Sequence, residues 1–218
     1  MKKQLSTIIA AVFMLAGAQA AHASDISIAW QGNAAQAGVA LQAFDTRLST
    51  TEAVFDDYAL QLQYTNLTSG TSFAAFCIEP LAGNSVLPAT YSVSSFSGVE
   101  ASHLAALYQT SFSTSMNATQ QAAFQLAVWE FTQESSTFGT QTGAFVSQGP
   151  SAVTTLADSY LAAALSFSGT SSYQVTKLTS GDYQDLVFAT AVPEPGTYAL
   201  FLAGLGAIGM IARRRLPR

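Results

Sequence analysis

Apolar and polar positions along the chain fall into three regimes. At the two ends they are nearly unbroken apolar runs, mostly apolar from Leu5 to Ala16 and wholly uncharged from Tyr198 to Ala212. Between them the pattern is short-period and mixed. Strands are predicted over Ile26 to Trp30 and Val39 to Phe44. From Tyr58 to Tyr64 the chain alternates, with Tyr58, Leu60, Leu62 and Tyr64 on one face and Gln61 and Gln63 on the other, which predicts one continuous strand. Asn66 to Gly70 reads as a turn. Ser72 to Ile78 is an apolar strand stopped by Glu79-Pro80, which puts Cys77 near a strand end, and Pro88 to Phe96 is a further strand.

Helical spacing appears in the second half. Ser97-Gly98-Val99-Glu100 predicts a capping box opening a helix to about Tyr108. Asn117 caps a second helix through Glu134, with Phe124, Ala127, Val128 and Phe131 on its core face and Gln125 just off that stripe, its amide half-buried. Pro150 precedes a third helix from about Ala152 to Leu165. Tyr173 to Leu178 and Tyr183 to Thr190 form a closing hairpin around Ser180-Gly181-Asp182. The body is therefore expected to be α+β.

The apolar ends are addresses. Lys2 and Lys3, the run behind them and Ala21-His22-Ala23 make a signal peptide over residues 1–23, with Ala18-Gln19-Ala20 as a second cleavage site. At the other end, Pro193, Glu194 and Pro195 precede the apolar run, and Arg213, Arg214 and Arg215 close it. Such a run resembles a stop-transfer anchor whose arginines stay cytoplasmic, although it is short of the roughly 20 residues of a full span. The order Pro-Glu-Pro, apolar helix, Arg cluster over residues 192–218 strongly resembles the PEP-CTERM sorting signal of Gram-negative bacteria. That resemblance implies a transient stay in the inner membrane as a transmembrane helix. It also implies handling by an exosortase-type processing enzyme and delivery to the cell surface or extracellular matrix.

Charge narrows the partners of the body, residues 24–191. Of 8 Lys+Arg in the chain, Arg47 and Lys177 alone lie in it, against all but one of the 13 Asp+Glu. Its net charge is about −10, which argues against nucleic acid or anionic lipid as a partner. The chain has 1 Cys, Cys77. In an oxidising compartment an unpaired cysteine is buried, pairs between molecules, or is used chemically.

Two short stretches bear on that choice: Phe76-Cys77-Ile78, and Phe124-Gln125-Leu126-Ala127-Val128-Trp129. They resemble the two signatures of bacterial thioester domains, best known from surface adhesins. The resemblance implies a β-sandwich or barrel-like sheet with a small helical part. It implies an internal thioester between the Cys77 sulfur and the Gln125 side-chain carbonyl, shielded by Phe76, Phe124 and Trp129. Opening by an amine or hydroxyl on a polysaccharide or surface protein would link that partner to Gln125 in a single turnover, so the expected activity is covalent adhesion rather than enzymatic turnover. The alternative is a non-covalent structural component of an exopolysaccharide or biofilm matrix with an inert cysteine. A Cys77–His103 hydrolase lacks any surrounding signature. Asp45, Asp56, Asp57, Asp182 and Asp185 show no calcium-loop spacing and read as a solvated face. No metal and no cofactor are expected.

Overall fold

The computed structural model describes residues 25–33, 38–48, 53 and 55–192, with residues 201, 203–205 and 208 near the C-terminus. The expected signal peptide, Pro193-Glu194-Pro195 and Arg213 to Arg215 lie outside the described residues. Among the described residues no helix is long and apolar enough to cross a membrane.

Nine strands and three helices follow in chain order: β1 (Asp25–Asn33), β2 (Val39–Asp45), β3 (Phe55–Ala59), β4 (Leu62–Asn66), β5 (Ser72–Cys77), β6 (Ala89–Ser94), α1 (Gly98–Ser111), α2 (Ala118–Gln133), β7 (Phe145–Gln148), α3 (Ser151–Ser166), β8 (Tyr173–Thr179) and β9 (Leu186–Ala191). Six strands close a barrel in the order β1-β4-β5-β9-β8-β6, and β3-β2-β7 form a separate sheet. Every pairing is antiparallel, and the α+β expectation of a barrel-like sheet with a small helical part holds.

The expected single strand over Tyr58 to Tyr64 is two strands in two different sheets. Its period-2 pattern is real from Leu62 onward, but Tyr58 is 58% exposed and Gln61 is buried. The break has a specific cause: the Gln61 N–H leaves the ladder and donates to the Gln121 side chain of α2 at 3.3 Å. The strand β7 was not expected, because four residues are too few to show a period. It is held by pairing with β2, Asp45 opposite Phe145 and Gln42 opposite Gln148.

The helix α2 organises the packing. Asn117 caps it with a reciprocal box, accepting from the Gln120 N–H while the Gln120 side chain accepts from the Asn117 N–H. Every residue from Gln121 to Phe131 is buried. A helix buried all round is enclosed on all sides rather than laid on a surface. Phe124, Ala127, Val128 and Phe131 join a cluster with Phe76 of the barrel wall and Leu104 and Leu107 of α1. Ala122, Ala123, Leu126 and Trp129 join a second with Leu41, Ala59 and Phe145 of the small sheet. The helix is thus wedged between barrel and sheet. α1 begins where expected and runs on to Ser111, but Ser97 makes no side-chain cap hydrogen bond, so no capping box forms there.

Candidate functional site

An all-round buried helix forces its polar side chains to find partners inside the protein, since an unpaired buried amide costs about 1–3 kcal/mol. Gln121 does so with the Gln61 N–H and the Met116 carbonyl. Gln125, one turn on, does so with Cys77. Its Oε1 accepts from the Cys77 N–H at 2.9 Å and its Nε2 donates to the Cys77 carbonyl at 2.8 Å. Gln133, two turns further, donates to the Ile78 carbonyl at 2.8 Å. Residues eight apart share a helix face, so one edge of α2 clamps the end of β5 at two consecutive residues. Gln125 is 1% exposed rather than half-buried, because the small sheet covers the side of α2 that the periodicity left open.

Cys77 is the last residue of β5, opposite Leu186 of β9. It packs where the barrel interior meets the core of the small sheet. The residue keeps part of its surface open, yet burial pushes its thiol up to about 12, with a hydrogen-bonding contact from the Gln184 side chain working the other way. Gln184 was not singled out in the sequence. It lies in the β8–β9 loop, 107 residues from Cys77, with no motif around it.

Cys77, Gln125, Gln184 and Trp129 line one cleft of about 680 Å³. Its walls are β3 on one side and the 80–86 loop on the other, with Trp30 of β1 also lining it. Phe76 and Phe124 are not on this surface. Their rings pack 4.7 Å apart in the core behind the pair, fully buried, so they support the clamp from behind instead of shielding the cleft. Trp129 does line it and packs against Phe55 at 4.7 Å.

The remaining candidates lie elsewhere. His103 packs on the rings of Phe131 and Phe138 and does not line the cleft, so nothing pairs it with Cys77. Burial there pushes its pKa down. The aspartates are not one solvated face. Asp45 forms a fork with Arg47 that holds its carboxyl below the usual range, and buried Asp185 pairs with Lys177 at 3.1 Å. Asp56 and Asp57 are exposed and line the cleft. Among the described residues no group of three or more His, Cys, Asp or Glu is arranged to hold a metal ion.

Residues 191–215 match the model of the PEP-CTERM protein-sorting motif. No curated protein matches the chain. Among solved structures, the chain is similar to the N-terminal domain of the Streptococcus pyogenes pilus tip adhesin Cpa, at 13% identity and a TM-score of 0.46, covering 74% of this chain and 98% of that one. It is also similar to the N-terminal thioester domain of a surface protein from Clostridium perfringens, solved as a cysteine-to-alanine mutant. There the identity is 14% and the TM-score 0.44, with 70% of this chain and 99% of that one covered. The sorting motif supports export and surface display.

Proposed function

We propose that this exported protein attaches covalently to its target through a thioester formed between the Cys77 sulfur and the Gln125 side-chain carbonyl. The observation that carries the reading is the two-point clamp of the Gln125 carboxamide on the Cys77 backbone at the base of an open cleft. The Cys77 N–H donates to the carbonyl oxygen of the amide that would be attacked, as an oxyanion donor does. The Cys77 carbonyl accepts from the amide nitrogen that would leave. The thiol sulfur bonds to Gln125 Cδ, the Cδ–Nε2 bond breaks, and the nitrogen departs as ammonia carrying the thiol proton. Holding both groups on rigid elements replaces the entropy a bimolecular encounter would lose. A nucleophile on the target then displaces the sulfur and leaves Cys77 as a free thiol. Each molecule acts once, so the protein is an adhesin or matrix attachment factor rather than an enzyme.

One observation favours a second reading. A thiol raised to about 12 is almost wholly protonated at neutral pH, as an inert core cysteine would be. In that case the protein is a non-covalent matrix component. Intact mass separates the two. Freshly purified wild type is expected to be lighter than its sequence by one ammonia, and Cys77→Ala to show no deficit. Full sequence mass in the wild type would leave the non-covalent reading.

A further inference from the structure

The cleft carries more polar equipment than a thioester needs. Trp129 and Trp30 both line it, and among the described residues neither indole N–H, both buried, has a hydrogen-bond partner. Trp30 stands at an irregularity: the β1–β4 register shifts between Trp30 and Gly32, and Gly32 has φ of 101°, a conformation that favours glycine. Bulges of this kind re-aim side chains and recur beside binding sites. Across the cleft, β3 presents exposed Asp56, Asp57 and Tyr58, and Asn84 lies on the opposite wall with its side-chain oxygen taken by the Tyr64 hydroxyl. Aromatic side chains, carboxylates and an amide around a space of about 680 Å³ form a surface for a polyhydroxylated ring.

The charge and the missing bases narrow the ligand. Among the described residues lining the cleft there is no histidine and no lysine, and its ionisable side chains besides Cys77 and Tyr58 are Asp56 and Asp57. A lysine amine, with its usual pKa near 10.4, arrives almost fully protonated at neutral pH, and this cleft has little to deprotonate it. A sugar amine is less basic, so it is drawn in as ammonium and still supplies free amine. A peptide strand is disfavoured for a separate reason. β3 is an edge strand with two adjacent aspartates, and charges on an edge oppose strand addition. The body's excess of carboxylates also steers a polycation toward it.

Resting on the thioester reading for its covalent step, we propose that the cleft above Cys77 and Gln125 is a saccharide subsite that accepts a free-amine sugar of a partly de-N-acetylated polysaccharide. The amine nitrogen attacks Gln125 Cδ, the carbon–sulfur bond breaks, and the amine's proton passes to the sulfur. The sugar is left amide-linked to Gln125 and Cys77 is left as a thiol.

The test separates recognition from chemistry. Full-length Cys77→Ala cannot form the thioester but keeps both clamp hydrogen bonds, which involve only backbone of residue 77. Calorimetric titration should show it binding glucosamine oligomers, with the fully N-acetylated oligomers about tenfold weaker. Asp56→Asn with Asp57→Asn should abolish that preference and leave N-acetylated binding unchanged. Trp30→Ala, which removes the ring from the cleft lining, should weaken both. Absence of saccharide binding, or equal or tighter binding of a lysine-containing peptide, would overturn the subsite. A mass deficit in the wild type with no saccharide binding would leave the thioester standing and remove this inference. Saccharide binding without the deficit would confirm the recognition half and overturn the covalent step.

Discussion

The Gln125 carboxamide meets the backbone of Cys77 as a neighbouring strand would, accepting from its N–H and donating to its carbonyl. β5 pairs with β9 through Phe76 and Cys77 on one side, so the helix side chain takes up Cys77's peptide groups where the chain turns toward Glu79-Pro80. One side chain therefore has two duties: it closes the sheet end, and it places an amide carbon beside a cysteine.

Those duties make the two members of the pair unequal in stability. Both variants lose the proposed cross-link alike; beyond that shared loss, Gln125→Ala removes both hydrogen bonds and leaves a buried donor and acceptor unpaired, so it is expected to lower unfolding free energy by about 2–4 kcal/mol. Cys77→Ala keeps both bonds and loses one sulfur's packing, at about 1 kcal/mol. Urea denaturation of the two variants checks the order. Equal losses would show that the clamp contributes nothing to the fold.

The Cys77 thiol should behave as its burial dictates. With its pKa pushed up to about 12, the thiolate fraction in amine-opened protein is small at neutral pH and grows about tenfold per pH unit below that value. Alkylation rates of folded protein between about pH 7 and 10 should therefore rise log-linearly. A plateau near pH 9, where an ordinary thiol is ionised, would contradict the environment described.

Glu130 offers a pH-dependence unrelated to the cleft. It is 0% exposed, its Oε2 accepts from the Gly139 N–H at 3.1 Å, its Oε1 has no partner among the described residues, and Glu134 and Asp158 lie near enough to add repulsion. Burial first, then those charges, push its pKa from 4.5 up to about 8. The folded state keeps a proton that the unfolded chain releases, so stability is fully present below about pH 4.5 and falls as pH rises toward 8. The loss is about 5 kcal/mol at most. Glu130→Gln should flatten the urea midpoint over that window, and an unchanged slope would assign it to other groups.

In the tail, handling is expected to depend on the Pro-Glu-Pro element more than on hydrophobicity. Replacing Pro193 and Pro195 with alanine should leave the chain in the inner membrane with Arg213, Arg214 and Arg215 still attached, as fractionation and C-terminal mass would show. Unchanged surface delivery would point to a plain anchor.

Much of this molecule was legible along the chain, and the parts that were not share a cause. Local chemistry shows locally: the Asn117 cap, the Asn66 to Gly70 turn, the barrel strands from Ser72 and Tyr173 onward, and the sorting element with its Arg cluster all depend on neighbours a few residues away. The spacing also put Cys77 at a strand end and Gln125 on a helix. What tertiary structure alone decided was enclosure. α2 reads as amphipathic with Gln125 at the edge of its stripe, and its length from Gln121 to Phe131 became buried all round when β3, β2 and the unforeseen β7 closed over its other side. The same closure took the Gln61 N–H out of the ladder and split one strand into two sheets. It moved Phe76 and Phe124 behind the site and brought Gln184 against a sulfur 107 residues away. Periodicity records which face of an element avoids water. It carries no record of how many other elements arrive to cover the rest, because that depends on long-range packing between segments whose sequences share no pattern.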